Sequence, residues 1–203
     1  VSRFDEDDEE EKNNEKKPEG APPVSPAVQS LFKARTILLF GEIDQKAAER
    51  TVAQLIALAA ESAEPIKMFL SSPGGHVESG DAIHDTIRFV PAPVKMIGTG
   101  WVASAGAHIF LAAKRENRYC LRNTRFLLHQ PWGGVGGPAS DISIEAKEMI
   151  KMRERLNRIM ARETGQPLER IAKDTDRNFW MSPEEARDYG LVTHVIERAD
   201  EIR

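Results

Sequence analysis

Apolar positions fall into short continuous runs, separated by segments in which they recur every three or four residues. Residues 36–40 (TILLF) are such a run and predict a buried strand. Asp44 then stands as the N-cap of a helix reaching about residue 62, with Ala48, Val52, Leu55, Ile56 and Ala59 on one face. The runs at 66–70 and 94–97 predict two further strands. Between them, 77–89 predicts a helix that Pro91 and Pro93 stop. Residues 103–113 predict another helix, and 119–121 and 126–128 predict short strands. After Gly136-Gly137-Pro138 comes the longest helical pattern, about 140–162, with Ile142, Ala146, Met149, Leu156 and Met160 at helical spacing and Arg153 interrupting the row. Glycine-rich before and Thr164-Gly165 after, it predicts an insertion projecting from the core and packing on something outside its own domain. Ser182-Pro183-Glu184-Glu185 is a capping box with proline at the first helical position. That helix stops at Gly190, and 191–196 is a last strand. Repeated strand–helix alternation predicts an α/β fold with parallel crossovers. No internal repeat is found.

The chain has 203 residues, 40% hydrophobic and 30% charged, a balance suited to one globular domain. Its net charge of −4 is unevenly placed, because residues 1–20 hold nine acids against four bases. Residues 1–26, acidic and then proline-rich, predict a disordered tail, and 27–203 a folded domain with an insertion at about 130–163. The rest of the chain is near neutral and has no basic block, which argues against nucleic acid as a partner. No run reaches the ~18 apolar residues of a membrane span. The start lacks the basic and apolar regions of a secretory signal, so a cytoplasmic location is expected. The single cysteine, Cys120, excludes an internal disulfide and a Cys-rich zinc site, and its strand-like surroundings predict a buried apolar role. No metal or other cofactor is expected.

Three segments carry candidate chemistry. Ser72-Pro73-Gly74-Gly75 is a turn between strand and helix, where glycine lets backbone N–H groups approach a ligand; as a bare motif it is also an ordinary turn. In Gly100-Trp101-Val102-Ala103-Ser104-Ala105-Gly106-Ala107 the serine is either a helix N-cap or a nucleophile with open space around its hydroxyl. It is not the G-x-S-x-G elbow, since Val102 stands two before the serine. His129, in Leu128-His129-Gln130-Pro131, ends an apolar strand and is either a hydrogen-bonded structural residue or the general base a serine nucleophile needs.

Taken in this order, with Thr164-Gly165-Gln166, Ser182-Pro183-Glu184-Glu185-Ala186 and Tyr189-Gly190-Leu191-Val192, the motifs resemble the ClpP family of serine peptidases over about residues 31–196. The resemblance implies the ClpP/crotonase fold with a projecting handle helix. It implies heptameric rings stacked into a tetradecamer around a closed chamber. It further implies hydrolysis of peptides and unfolded polypeptides delivered by an AAA+ unfoldase such as ClpX or ClpA.

Carried over by position, Ser104 is the nucleophile, His129 its base, and the N–H groups of Gly75 and Ala105 the oxyanion hole. The family's orienting acid lies in an Asp-Thr-acid-Arg-Asp run, here Asp174-Thr175-Asp176-Arg177-Asn178, so Asn178 takes its place. An asparagine carbonyl can accept the imidazole N–H but brings no charge. Asp174 or Asp176 would serve only if the register shifted. Arg177 matches the arginine that pairs across the two rings. His108, four residues after Ser104, is an alternative base; His76 is expected at the substrate groove or in solvent, and His84 and His194 at the surface. Asn178 also opens a second reading, a weakly active or inactive scaffold subunit co-assembling with an active paralogue. A third is a crotonase-type acyl-CoA enzyme, which shares the glycine-rich oxyanion geometry.

Overall fold

The TILLF run forms strand β1 (Thr36–Phe40) at the edge of a seven-stranded sheet. The computed structural model describes residues 25–134 and 136–203. The tail predicted for residues 1–26 therefore lies outside the described residues except at its end, where Pro26 already opens helix α1 (Pro26–Lys33). β1 is not buried on both faces: Ile37 and Leu39 point into the core, while Leu38 and Phe40 are half exposed. Asp44 caps α2 (Gln45–Glu61), accepting from the Ala47 N–H at 2.6 Å. The buried stripe of α2 is Ala47, Ala48, Thr51, Leu55 and Leu58, rotated from the predicted face so that Ile56 is exposed.

β2 (Ile66–Ser72), α3 (Val77–Phe89) and β3 (Val94–Ala103) follow, then α4 (Ala105–Phe110), β4 (Arg118–Leu121) and β5 (Arg125–Leu128). After them come α5 (Ala139–Thr164), α6 (Leu168–Asp174), β6 (Phe179–Met181), α7 (Pro183–Tyr189) and β7 (His194–Ile196). The main sheet runs β1-β2-β3-β4-β7, all parallel, with its helices as crossovers. β3 is longer than the four residues its apolar run predicts, because it serves two partners. Met96–Gly98 pair with β4, and Trp101–Ala103 pair with β5, which turns back antiparallel against β6. The strand redirects around Gly100, at φ +60°, where a Cβ would lie 2.9 Å from the Ser71 hydroxyl.

The 26-residue α5 projects as expected. Leu156, Asn157, Met160 and Thr164 near its C-terminal end are buried, whereas Ile142, Ile144 and Ile150 are exposed. Gly165 ends it in the left-handed conformation, two residues beyond the predicted insertion. The root of α5 is fastened to the core by Arg118, whose side chain is fully buried. It donates to Glu163 Oε2 at 2.6 Å and to the carbonyls of Ala113, Leu111 and Glu163. Ser182 and Glu185 complete the predicted capping box of α7.

Cys120 is buried in β4, and burial pushes its thiol up to about 12. It is expected to resist iodoacetamide at pH 8 in the native protein and to react within minutes in guanidinium chloride, as mass spectrometry of both samples would record. Modification of the native protein at the denatured rate would show the strand to be open.

Candidate active site

Ser104 sits where β3 gives way to α4. The helix predicted from residue 103 starts two residues later, because Ala103 still pairs with Leu127 of β5. The Ser104 N–H donates to the Leu127 carbonyl at 2.9 Å, so strand pairing fixes the residue. Its backbone is at φ 55°, ψ −120°, a setting that costs a non-glycine residue about 1–3 kcal/mol. As an N-cap Ser104 is idle, for its hydroxyl makes no capping bond. The serine therefore caps nothing and is held in a strained turn.

The Pro-Gly-Gly turn lies directly over it. A Cβ on Gly74 (φ +101°) would stand 2.6 Å from Ser104 Cβ, and one on Gly75 (φ +146°) 2.4 Å from the Ile43 carbonyl oxygen. Both glycines are demanded by close approach as well as by conformation. The loop is pinned by Gly74 N–H to Ser72 Oγ at 3.0 Å, Ile43 N–H to the Gly74 carbonyl at 2.9 Å and His76 N–H to the Ile43 carbonyl at 2.8 Å. The Gly75 and Ala105 N–H groups donate to no acceptor among the described residues, Ala105 because it opens α4.

Strand register delivers the other residues to the same end of the sheet. Ala103 pairs with Leu127, and Leu128 pairs with Phe179 of β6. One residue further along, Ser104, His129 and Asn178 leave the ends of three neighbouring strands. Asn178 stands close enough to His129 for its side chain to favour the protonated ring, although no hydrogen bond of ordinary geometry joins the two side chains among the described residues. Burial holds the imidazole below its ordinary value, with Asn178 opposing the fall, and this favours the neutral ring that can take a proton. No hydrogen bond joins Ser104 Oγ to His129 among the described residues. A cleft of about 600 Å³ opens beside the pair, lined by His129, Gln130, Trp132, Arg177 and Asn178 among others.

The two aspartates that a register shift would recruit are engaged elsewhere. Asp174 accepts from the Tyr189 hydroxyl at 2.9 Å, and Asp176 is paired with Arg153 at 3.2 Å. Gln130 was not singled out by its residue type, yet it fixes this segment. Its N–H donates to the Thr175 carbonyl at 2.6 Å and its amide to the Asp176 carbonyl at 2.8 Å. Its position directly after His129 was the available signal.

His108 is not placed as a base, since its side chain is buried and bound to Asp81. His76 is exposed and paired with Glu78. His194 is exposed, as expected. His84 corrects the expectation of a surface residue: it is 3% exposed and stacked on His108. Arg177 lies exposed at the rim of the cleft. Among the described residues no cluster of three potential metal ligands occurs, and no helix is long and apolar enough to cross a membrane.

Residues 21–199 match the family model described as Clp protease. The ATP-dependent Clp protease proteolytic subunit 3 of Rhizobium etli is 63% identical over 167 residues, 82% of this chain and 86% of the relative. Subunit 2 of Gluconobacter oxydans is 61% identical over 183 residues, 89% and 82% of the two chains. Among solved structures, an Asn-to-Asp variant of ClpP1 from Listeria monocytogenes superposes with a TM-score of 0.82 at 52% identity, covering 87% of this chain and 99% of that one.

Proposed function

This chain belongs to the Clp protease family as a serine-type endopeptidase, the proteolytic subunit of a Clp protease, and we propose that Ser104, His129 and Asn178 carry its chemistry. His129 takes the proton from Ser104 Oγ as the oxygen attacks the peptide carbonyl. The oxyanion that forms is met by the Gly75 and Ala105 N–H groups. His129 then protonates the leaving amine, and water, deprotonated by the same imidazole, hydrolyses the acyl group from Ser104. The Asn178 carbonyl accepts an imidazole N–H and so fixes the tautomer. The observation that carries this reading is the register of β3, β5 and β6, which brings the three residues to one end of the sheet. The missing Ser104–His129 bond suits a resting site, because such bonds often tighten only with substrate.

The coarser organisation extends the proposal. Residues 27–203 serve as the peptidase domain, and α5 serves as its handle. Exposed Ile142 and Ile150 on one side of that helix, with exposed Ile144 on another, leave apolar surface suited to a second copy, with Arg177 at the contact. The proposal extends to self-assembly into stacked heptameric rings in the cytoplasm, fed by a separate AAA+ unfoldase, a reading supported by relatives whose names carry ATP dependence. Because those relatives are proteases, acyl-CoA chemistry is set aside.

The test is labelling. A fluorophosphonate probe is expected to add its mass to Ser104, located by peptide mapping, and to leave Ser104→Ala unlabelled while peptide hydrolysis is lost. Equal labelling of both proteins overturns the assignment. A second reading, a scaffold subunit working beside an active paralogue, is favoured by the uncharged Asn178. It requires wild-type protein that assembles yet neither labels nor cleaves.

A further inference from the structure

α3 and α4 pack side by side, and three ionisable residues meet between them. His108 stands on α4, four residues after Ser104, with Nε2 2.8 Å from Oδ1 of Asp81 on α3. Arg155 of α5 grips the same carboxylate with both hands of its guanidinium, Nη1 to Oδ1 at 2.8 Å and Nη2 to Oδ2 at 2.6 Å. His84 covers the His108 ring, with planes 5° apart and centroids 4.3 Å apart, and its Nδ1 meets Asp85 at 3.0 Å. Burial favours the neutral acid at Asp81, but the bonds from His108 and Arg155 outweigh it and hold the carboxyl well below its usual range.

As a stabilising device this cluster is poor. Both imidazoles are almost wholly buried, and His84 Nε2 and His108 Nδ1 are buried with no partner among the described residues. What it supplies is direction. α4 is only six residues long and carries Ser104 and the Ala105 N–H at its leading end. Arg118 holds the carbonyls just past its far end, and Gly106 seats it against Ser72. Rotation about its own axis is resisted from the side by the His108–Asp81 bond, which continues through Arg155 into α5, whereas the Arg118 tie to Glu163 of α5 holds only the end of α4.

We propose that Asp81 is a positioning residue for peptide hydrolysis: acting through His108 it sets the rotation of α4, and Arg155 ties that setting to α5. The inference rests on Ser104 being the nucleophile.

The experiment uses the full chain in its native assembly. Asp81→Ala is expected to lower kcat on a model peptide by ~10–100-fold with KM within about threefold, the size expected of a misplaced reacting group. Fluorophosphonate labelling of Ser104 should slow by the same factor, with circular dichroism and sedimentation unchanged. Asp81→Asn, which keeps one oxygen able to accept from both His108 and Arg155 Nη1 but loses the Oδ2 acceptor, should recover part of the loss. Asp81→Ala combined with His108→Phe should be no slower than Asp81→Ala alone. If Asp81→Ala fails to fold, the half-exposed Arg155→Ala replaces it, with the same split between kcat and KM at smaller size. Unchanged kcat and labelling beside a lowered melting temperature would overturn the proposal, as would multiplying losses in the double variant. Ser104→Ala runs in parallel. Labelling that survives it removes the nucleophile assignment, whereas labelling it abolishes while every Asp81 and Arg155 variant matches wild type removes only the positioning role.

Discussion

Asn178→Asp is expected to raise kcat for peptide hydrolysis on the order of 10²-fold, short of the ~10⁴ that separates Asp from Asn in a buried serine triad. The gain comes from charge. When Ser104 attacks, His129 becomes an imidazolium, and the carbonyl of Asn178 meets it with a dipole where a carboxylate would meet it with a full negative charge. It also comes from tautomer: an amide can turn its NH₂ towards the ring and hold the wrong form, while a carboxylate only accepts. The smaller figure follows from exposure, since Asn178 stands at the rim of an open cleft where solvent screens the new charge. The pH profile should move as well. Burial holds His129 below its ordinary value, and an adjacent carboxylate favours the protonated ring, so the acid limb of kcat/KM shifts to higher pH in the variant. Rates within tenfold of wild type, with an unmoved limb, would show that the missing charge does not limit the enzyme and would end the scaffold reading.

Where apolar runs were bounded by strong local signals, the elements were legible. TILLF marked β1 to the residue, and α3 ended before Pro91 as the prolines required. What failed to announce itself depended on partners distant in the chain. β6 is three residues long and is a strand only because β5 lies beside it. α6 buries Ile171 alone, too little for a periodic pattern. β3 outran its apolar run because Gly98 and Gly100 interrupt the pattern at the point where the strand changes partners.

The site divides in the same way. Ser104, His129 and the glycines could be nominated from motifs, and the run 174–178 nominated Asn178 by register. That Asp174 and Asp176 are occupied by Tyr189 and Arg153, with Asn178 left beside His129, depends on contacts distant in the chain. So does His84, a polar residue on an amphipathic helix whose burial depends on the stacked ring of His108. Pairings of this kind carry no local signature.

Glu163→Ala is expected to destabilise the fold by about 3–5 kcal/mol, the usual cost of stripping one partner from a buried ion pair. Arg118 is fully buried, and burial pushes its guanidinium down; Glu163 supplies the charge that opposes this. Burial by itself would raise the Glu163 carboxyl. Bonds from Arg162 and Arg118, with the charges of Arg118 and Arg88, win instead and hold it below its ordinary 4.5. A depressed carboxylate gives stability that is complete above its unfolded value and lost as pH falls through its folded value. Wild type should therefore lose stability progressively below about pH 4.5, and Glu163→Ala should lose less there, having less to lose. At pH 7 the variant's thermal midpoint should drop by roughly 10 °C. The damage has a direction, because Arg118 also holds the carbonyls of Leu111 and Ala113 behind α4. Loosening there reaches the helix that carries Ser104, so activity should fall at temperatures where the fold is still intact. Replacing both partners together, Arg118→Met with Glu163→Leu, removes the stranded charge and should recover part of the midpoint but not the hold on those carbonyls. A midpoint in Glu163→Ala within 2 °C of wild type at pH 7 would mean that Arg118 places no real demand on that carboxylate and that its carbonyl bonds, with the buried Leu156 and Met160, suffice to hold α5.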